Sequence, residues 1–483
     1  MSNNAQVVFA LTTEFCGVGL PRVTIGTVPD DVLLEIFFFY GNAAERTEEW
    51  HTLVHVCRRW RYVAFASPRH LQLRLLCTAK TPVRKMLHIW PALSVIVHNS
   101  GDVKSLIDGA DNIMAALEHP DRICRISLGA VPMSILERFI AIMKYPFPEL
   151  TSLTLLRYDS RALIVPESFL GGSAPRLRLL ECNFIPFPAI RKLHLIARDL
   201  VHLRLVHIPP FEYISPEMMV ACLSSLTKLD SLCLGFHPPH HSLPGRESRR
   251  LPLSERTVLP ALTTLDFRGA SEYFEDFISR IDLPLLDEVA IRFFNQPTWN
   301  TPQLPQFIRR SDQLMPPNCA DLIFHRLSAL VRLSRQAKKV NRTILTLRIS
   351  CQESGRQLSS LAQICGSSLP PLSTLERLYI HEDKYWQPRP LDYVENTRWI
   401  ELLRPFTAVK SLYLSMELGL RVAPALQELT PEAATEVLPA LQNLCLEGLQ
   451  PSRVVQEAIG QFVAARLLFN RPTVTVNPWE RGV

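Results

Sequence analysis

Leu200-Val-His-Leu203-Arg-Leu205 is one instance of the phrase on which the reading of the fold turns: an aliphatic residue, two others, an aliphatic, one other, an aliphatic. The phrase returns as Ile123…Ile126-x-Leu128, Leu150…Leu153-x-Leu155, Leu229…Leu232-x-Leu234, Leu262…Leu265-x-Phe267 and Leu286…Val289-x-Ile291. It continues as Leu375…Leu378-x-Ile380, Val409…Leu412-x-Leu414 and Leu441…Leu444-x-Leu446. Where phrases follow one another directly, their closing residues lie 24 to 34 residues apart. The aliphatic-x-aliphatic end of each phrase has the period of a half-buried strand. Helical patterns fall between phrases, as at residues 218–226 and 454–467.

A strand-plus-helix unit of this size cannot bury its apolar side alone. Stacked on its neighbours, it shares a continuous core. Leucine-rich repeats carry L-x-x-L-x-L with a period of ~20–29 residues. The expected fold is therefore α/β: an irregular leucine-rich-repeat solenoid with a curved parallel sheet and helices outside. The inner face of such a sheet is open to a partner, and loops of uneven length supply individual specificity. Further strands are expected at Leu71-x-Leu73-x-Leu75, at residues 90–97 and, as a closing strand, at residues 473–476. Two stretches break the rhythm. Residues 237–256 are polar, proline-rich and basic, and read as an exposed loop. Residues 293–342 hold several prolines, with residues 320–324 and 331–333 readable as strands of a degenerate repeat that interrupts or bends the array.

Ahead of the array lies V-P-D-D-V-L-L-E-I-F-F-F-Y (residues 28–40), then a polar gap, then W-H-T-L-V-H-V-C-R-R-W-R (residues 50–61). Pro29 suits a first helical position, and Asp30 and Asp31 complement the positive end of the helix dipole. Val32, Leu33, Ile36, Phe37 and Tyr40 make one apolar stripe, while Leu34 and Phe38 are apolar outside it. A helix greasy on two sides needs a core of its own and a second cover. Gly41-Asn42 is its expected end. A second helix is expected over residues 47–66, with Trp50, Leu53, Val54, Cys57, Trp60 and Ala64 at helical spacing and Ser67-Pro68 as its stop.

These two segments, P-D-D-V-L-L-E-I-F (29–37) and V-C-R-R-W (56–60), resemble the F-box, in the form found in F-box proteins of mushroom-forming fungi. Pro29, Val32, Leu33, Ile36, Phe37, Val56, Cys57, Arg58 and Trp60 match the family pattern; Val28 stands where the family has Leu, and Asp31 where it has Glu. The resemblance implies an F-box helical domain over residues 23–75, after a loose leader at 1–22 and before a substrate-recognition array at 76–483. It implies that Pro29, Val32, Leu33, Ile36, Val56, Cys57 and Trp60 dock a Skp-type linker protein and, through it, a cullin. The implied role is that of a substrate adaptor in an SCF-type ubiquitin ligase, with an unknown protein as substrate. The alternative is a leucine-repeat binding scaffold outside ubiquitin transfer, whose F-box is degenerate.

Composition is consistent with either. At 483 residues the chain exceeds a single ordinary core. The net charge is +6, and only ten of 52 basic residues are lysine, which does not suggest a dedicated nucleic-acid domain. Eleven scattered cysteines without C-x-x-C read as reduced thiols, and with no secretory signal the expected location is cytoplasmic or nuclear. No window reaches the ~18 apolar residues of a membrane span. None of the phosphate-loop, dinucleotide, nucleophile-elbow or zinc-protease motifs occurs, so no enzyme activity, cofactor or metal is expected. His51, His55 and Cys57 read as polar-face and packing residues before metal ligands, and Arg246, Arg249, Arg250 and Arg256 as a solvated basic loop.

Overall fold

The computed structural model describes residues 27–43, 50–99 except 91, 103–157, 168–185, 193–209, 214–238, 256–294, 301–311, 316–337, 340–351, 354–367, 372–383, 396–429, 433–448, 453–469 and 471–480, with a few single positions between. The leader at 1–22, the polar gap at 44–49 and most of the 237–256 loop lie outside these residues. Contacts divide the chain into two compact units. One runs to Leu76 and includes Ile89–Ser94; the other comprises Cys77–His88 and the chain from Val95 onward.

The first unit holds α1 (Asp30–Ala43), α2 (Trp50–Val56), α3 (Arg58–Ala66) and all but the last residue of β1 (Arg74–Cys77). Pro29 stands one residue ahead of α1, and its carbonyl accepts the Leu33 N–H at 3.0 Å. The helix continues past Gly41-Asn42 to Ala43. The single helix expected over 47–66 is in fact two. Cys57 takes an extended conformation (φ −156°, ψ 171°) and caps α3, its Sγ accepting the Trp60 N–H at 3.4 Å. Arg61 Nε donates to Val54 O at 2.9 Å, so a carbonyl freed by the break is satisfied. Cys57 is therefore an exposed cap and not a member of the apolar stripe. The stripe of α1 also divides. Leu33 and Phe37 are buried, while Val32, Ile36 and Tyr40 are exposed.

The second unit is a stack. Its early strands are β2 (Ser94–Asn99), β3 (Ile123–Leu128), β4 (Ser152–Leu156), β5 (Leu179–Asn183), β6 (His202–Ile208) and β7 (Ser231–Phe236). Then come β8 (Thr257–Val258), β9 (Thr264–Gly269), β10 (Ile281–Asp282), β11 (Glu288–Phe293), β12 (Cys319–His325), β13 (Ser328–Ala337) and β14 (Val340–Ser350). The last are β15 (Arg377–Glu382), β16 (Ser411–Leu414), β17 (Asn443–Glu447) and β18 (Thr475–Trp479). From β2 the sheet order is β2-β3-β4-β5-β6-β7-β9-β11-β14-β13-β12-β15-β16-β17-β18, and β8 and β10 form a separate parallel pair.

Register explains the leucine phrase. The second aliphatics Leu153, Leu180, Leu203, Leu232, Leu265 and Val289 stand in one row across β4 to β11. The third aliphatics Leu155, Cys182, Leu205, Leu234, Phe267 and Ile291 form the next buried row. None of these is more than 2% exposed. Helices cover this side: Phe274, on the helix Ser271–Ser279, lies 4.8 Å from Phe267 and 5.9 Å from Phe293 by ring centroid. Ahead of the strands a ladder of hydrogen bonds runs from repeat to repeat, each carbonyl accepting from two successive N–H groups. Arg178 N–H donates to Thr151 O, Val201 to Arg178, Asp230 to Val201 and Thr263 to Asp230, each at 2.8–2.9 Å.

Two features correct the expectation of a uniform parallel array. Leu177…Leu180-x-Cys182 is a full phrase whose third aliphatic is a cysteine, and it supplies β5. The interruption after residue 293 is a meander: β12–β13 and β13–β14 pair antiparallel, while β14 runs parallel to β11 and β12 parallel to β15. An odd number of alternating strands returns the chain direction, so the repeats resume in the same sense on the far side. Buried charges hold the joints. Glu275 accepts the N–H groups of Gln303 (2.6 Å) and Leu304 (3.1 Å) at the start of the helix Gln303–Arg310. Fully buried Arg466 donates to the carbonyls of Val437, Leu438, Pro439 and Leu441 at 3.1–3.4 Å.

Leu234→Ala should lower unfolding stability in urea by about 2–5 kcal/mol, whereas Ser231→Ala on the opposite face should change it by less than ~0.5 kcal/mol. Arg466→Met, which strips four carbonyls of their buried donor, should cost about 3 kcal/mol in the same assay.

Candidate functional site

Two surfaces stand out, one in each unit. In the first, Phe37 of α1 packs on Trp60 of α3 with ring centroids 4.8 Å apart. Arg59 ties the two helices from outside, donating to Asp30 Oδ1 at 2.7 and 2.9 Å and also to Val28 O. Trp50 donates through Nε1 to Arg74 O at 2.9 Å and meets Trp90 edge-on at 5.4 Å. His51 stacks on Trp50 at 3.9 Å, and His51 and His55 both meet Trp90 edge-on. Those histidines serve an aromatic cluster. Among the described residues no group of three His, Cys, Asp or Glu is placed to hold a metal ion.

With this core satisfied, α1 still shows apolar residues to water. Val32, Ile36, Phe39 and Tyr40 are 42–68% exposed, and Val56 is 59% exposed. A shallow depression of about 430 Å³ lies on α3, lined by Arg58, Arg61, Tyr62, Phe65 and Ala66. Of the residues singled out in the sequence, Pro29, Val32, Ile36, Val56 and Cys57 are exposed and Trp60 is half-buried. Leu33 is fully buried and supports the helix from beneath.

The second surface is the sheet face away from the helices. Its central row is Glu181, Arg204, Cys233, Asp266, Ala290, Thr346, Arg332, Asp321, Tyr379 and Tyr413, one from each successive strand between β5 and β16. Charges are interleaved and partnered here. Arg204 Nε is 3.1 Å from Glu181 Oε1, Arg204 also donates to Cys233 Sγ at 3.4 Å, and Cys233 Sγ donates to Asp266 Oδ2 at 3.5 Å. Burial first, and Asp266 next, push the Cys233 thiol up to about 12, so it stays protonated. Toward β18 the face turns aromatic: Tyr379 and Tyr413 stack at 4.2 Å and 10°, with Trp479 5.8 and 5.5 Å from them.

The next row of the same face, two residues further along each strand, places Arg268 (β9), Arg292 (β11) and Arg348 (β14) side by side. At its edge Phe184 and His207 both have positive φ (55° and 54°), and their rings stack at 4.3 Å and 3°. His207 Nδ1 is 2.7 Å from Asn183 Oδ1, which fixes the proton on Nδ1 and leaves Nε2 to accept from Arg268 at 3.1 Å. Burial first, then Arg268, His237, Arg204 and Arg292, holds His207 below the ordinary imidazole range. Of these residues the sequence had singled out only His237, as one of the histidines (His237, His240 and His241) of the polar loop, where a solvated loop was the reading preferred over a metal site. The available signal was the residue after the third aliphatic, in L-D-F-R, V-A-I-R and L-T-L-R.

No protein-family profile and no curated protein matches the chain. Among solved structures, the chain is similar to the crystal structure of the leucine-rich repeat-containing protein LegL7 from Legionella pneumophila. The match has 13% identity, covers 80% of this chain and 96% of that one, and has a TM-score of 0.25. The repeat character of this chain stands on its own phrases and their register. Among the described residues no helix is long and apolar enough to cross a membrane.

Because His207 is kept neutral, the folded chain binds its proton less readily than the unfolded chain. The stability this contributes is present above ~6.5, the ordinary imidazole value, and is lost as the pH falls through the depressed one. Between about pH 7.5 and about pH 5.5 the Tm of the native chain should therefore drop further than that of His207→Gln.

Proposed function

We propose that the chain is a non-catalytic substrate receptor of a cullin–RING ubiquitin ligase. In this reading residues 23–75 are the docking domain and residues 76–483 the recognition domain. Pro29, Val32, Ile36, Val56, Cys57 and Trp60 meet a Skp-type linker protein, while Leu33 holds α1 in place. The open face of the repeat sheet holds a protein substrate and raises its effective concentration near the charged enzyme. Such a receptor works in the cytoplasm or nucleus.

The observation that supports docking is the exposed row Val32, Ile36, Phe39 and Tyr40 on a helix whose other side is already buried. Apolar residues gathered on one exposed face mark an interaction site. One observation favours the second reading, a scaffold outside ubiquitin transfer: Leu33 and Trp60, which the F-box resemblance assigns to the partner, are spent wholly or partly on the unit's own core. In both readings the array is a protein-binding surface.

Co-expression with a Skp-type linker and pull-down of the full chain decides between them. The docking reading predicts a stable complex that Val32→Asp with Ile36→Asp weakens by ~10-fold or more, equivalent to ~1.4 kcal/mol. Both positions face water, so the variant should fold. Absence of any complex with the folded native chain would leave the scaffold reading.

A further inference from the structure

The structure gathers three cations in one row on the open sheet face. Arg268, Arg292 and Arg348 occupy one register row on three adjacent parallel strands. Neighbouring strands are ~4.8 Å apart, so three guanidinium-bearing chains rise from a strip about 10 Å wide. Like charges directly opposite across strands are destabilising, and a fold keeps them where something else repays the repulsion.

The nearby acids are largely committed elsewhere. Glu181 pairs with Arg204, Asp321 lies 4.0 Å from Arg332, and Asp383, which lies near Arg348, has its Oδ2 3.0 Å from His325 Nδ1. Asp266 lies near Arg268 and carries the Cys233 thiol. Arg292 and Arg348 make no hydrogen bond or ion pair among the described residues. Arg268 is half-buried; one terminal nitrogen is aimed by His207, and its Nε is buried without a hydrogen-bond partner. Burial first, and Arg292 next, hold the Arg268 and Arg348 guanidinium groups below the ordinary arginine range.

We propose that Arg268, Arg292 and Arg348 bind the phosphate monoester of a phosphorylated segment of the partner protein. The ligand class follows from counting. Each guanidinium is a planar fork of N–H donors. A carboxylate brings two oxygens and one negative charge, too few for three forks. A phosphate monoester brings three terminal oxygens and a charge near −2. A nucleic-acid strand is disfavoured by what flanks the row: Glu181 and Asp266 on one side and Asp321 and Asp383 on the other would repel a run of phosphates, whereas a single phosphate seats between them. The Tyr379, Tyr413 and Trp479 platform lies further along the same face, available to the residues flanking the phosphate. This proposal rests on the array being a protein-holding surface and is independent of linker docking.

The test uses the full chain and a fluorescent peptide mixture with a fixed central phosphoserine and degenerate flanks, read by anisotropy. Serine and glutamate versions of the mixture and a single-stranded oligonucleotide serve as comparisons. The phosphoserine mixture should bind at least ~10-fold tighter than the serine and glutamate versions, and inorganic phosphate should compete it off. Arg292→Gln and Arg348→Gln should each weaken it ~10-fold, while Arg398→Gln, on a surface helix, leaves it unchanged. Equal binding of the glutamate mixture, tighter binding of the oligonucleotide, or full affinity in both variants would overturn the proposal. A chain that forms the linker complex yet ignores phosphoserine refutes this site alone. One that binds phosphoserine at these arginines without the linker refutes the ligase reading alone.

Discussion

No repeat in this chain closes its own core. The buried rows pass from strand to strand, Leu232 against Leu203 and Leu265, and Leu234 against Leu205 and Phe267. Helices on the buried side pack on one another in turn, Ser271–Ser279 against both Pro216–Leu223 and Gln303–Arg310. The backbone bonds from Arg178 to Thr151, from Val201 to Arg178 and onward keep successive units in one register. A shift of one residue would carry every leucine to the open face and every arginine into the core. The charged and aromatic make-up of that face is therefore a by-product of register: once the leucines are buried, the residues between them have nowhere to point but outward.

The same constraint explains what the fold tolerates. Between β11 and β15 the chain leaves the repeat rule and builds three alternating strands, with Val331, Leu333, Leu345 and Leu347 still in the buried rows. Direction and side-chain alternation are both preserved across the insertion, so the rows continue through it. Where a helix start or the turn between a helix and the next strand would otherwise be left open, a buried charge closes it, Glu275 ahead of Gln303–Arg310 and Arg466 at residues 437–441. Surface ion pairs such as Lys228–Asp199 and Lys410–Glu376 link neighbouring units but are exposed and contribute little.

Much of this was legible in the residues. The nine phrases located nine strands, because a buried aliphatic row must repeat at the strand period. The helix Arg453–Leu468 was legible to within a residue at each end, and the closing strand was placed two residues early. β5 was hidden because Cys182 fills an aliphatic place, which a small buried thiol does well. The break at Cys57 was hidden because its helical spacing from Trp60 is equally that of an N-cap and its third residue. The split of the α1 stripe depends on which neighbour arrives, which spacing alone does not say. The arginine row was invisible for a different reason: Arg268, Arg292 and Arg348 are neighbours only after β14 has folded back beside β11, and the last two stand 56 positions apart in the sequence.

The central claim is that the second unit is one continuous stack in which every interior strand is held by both neighbours. Hydrogen–deuterium exchange of the full chain across a urea series tests it most directly. The account predicts that amides of β4, β5, β6, β7 and β9, together with Arg178, Val201, Asp230 and Thr263 just ahead of them, exchange through one shared opening, with β18 at the exposed end less protected. Free exchange of β6 and β7 while β4 and β11 stay protected would show that these strands are not joined through a common core, and would contradict it.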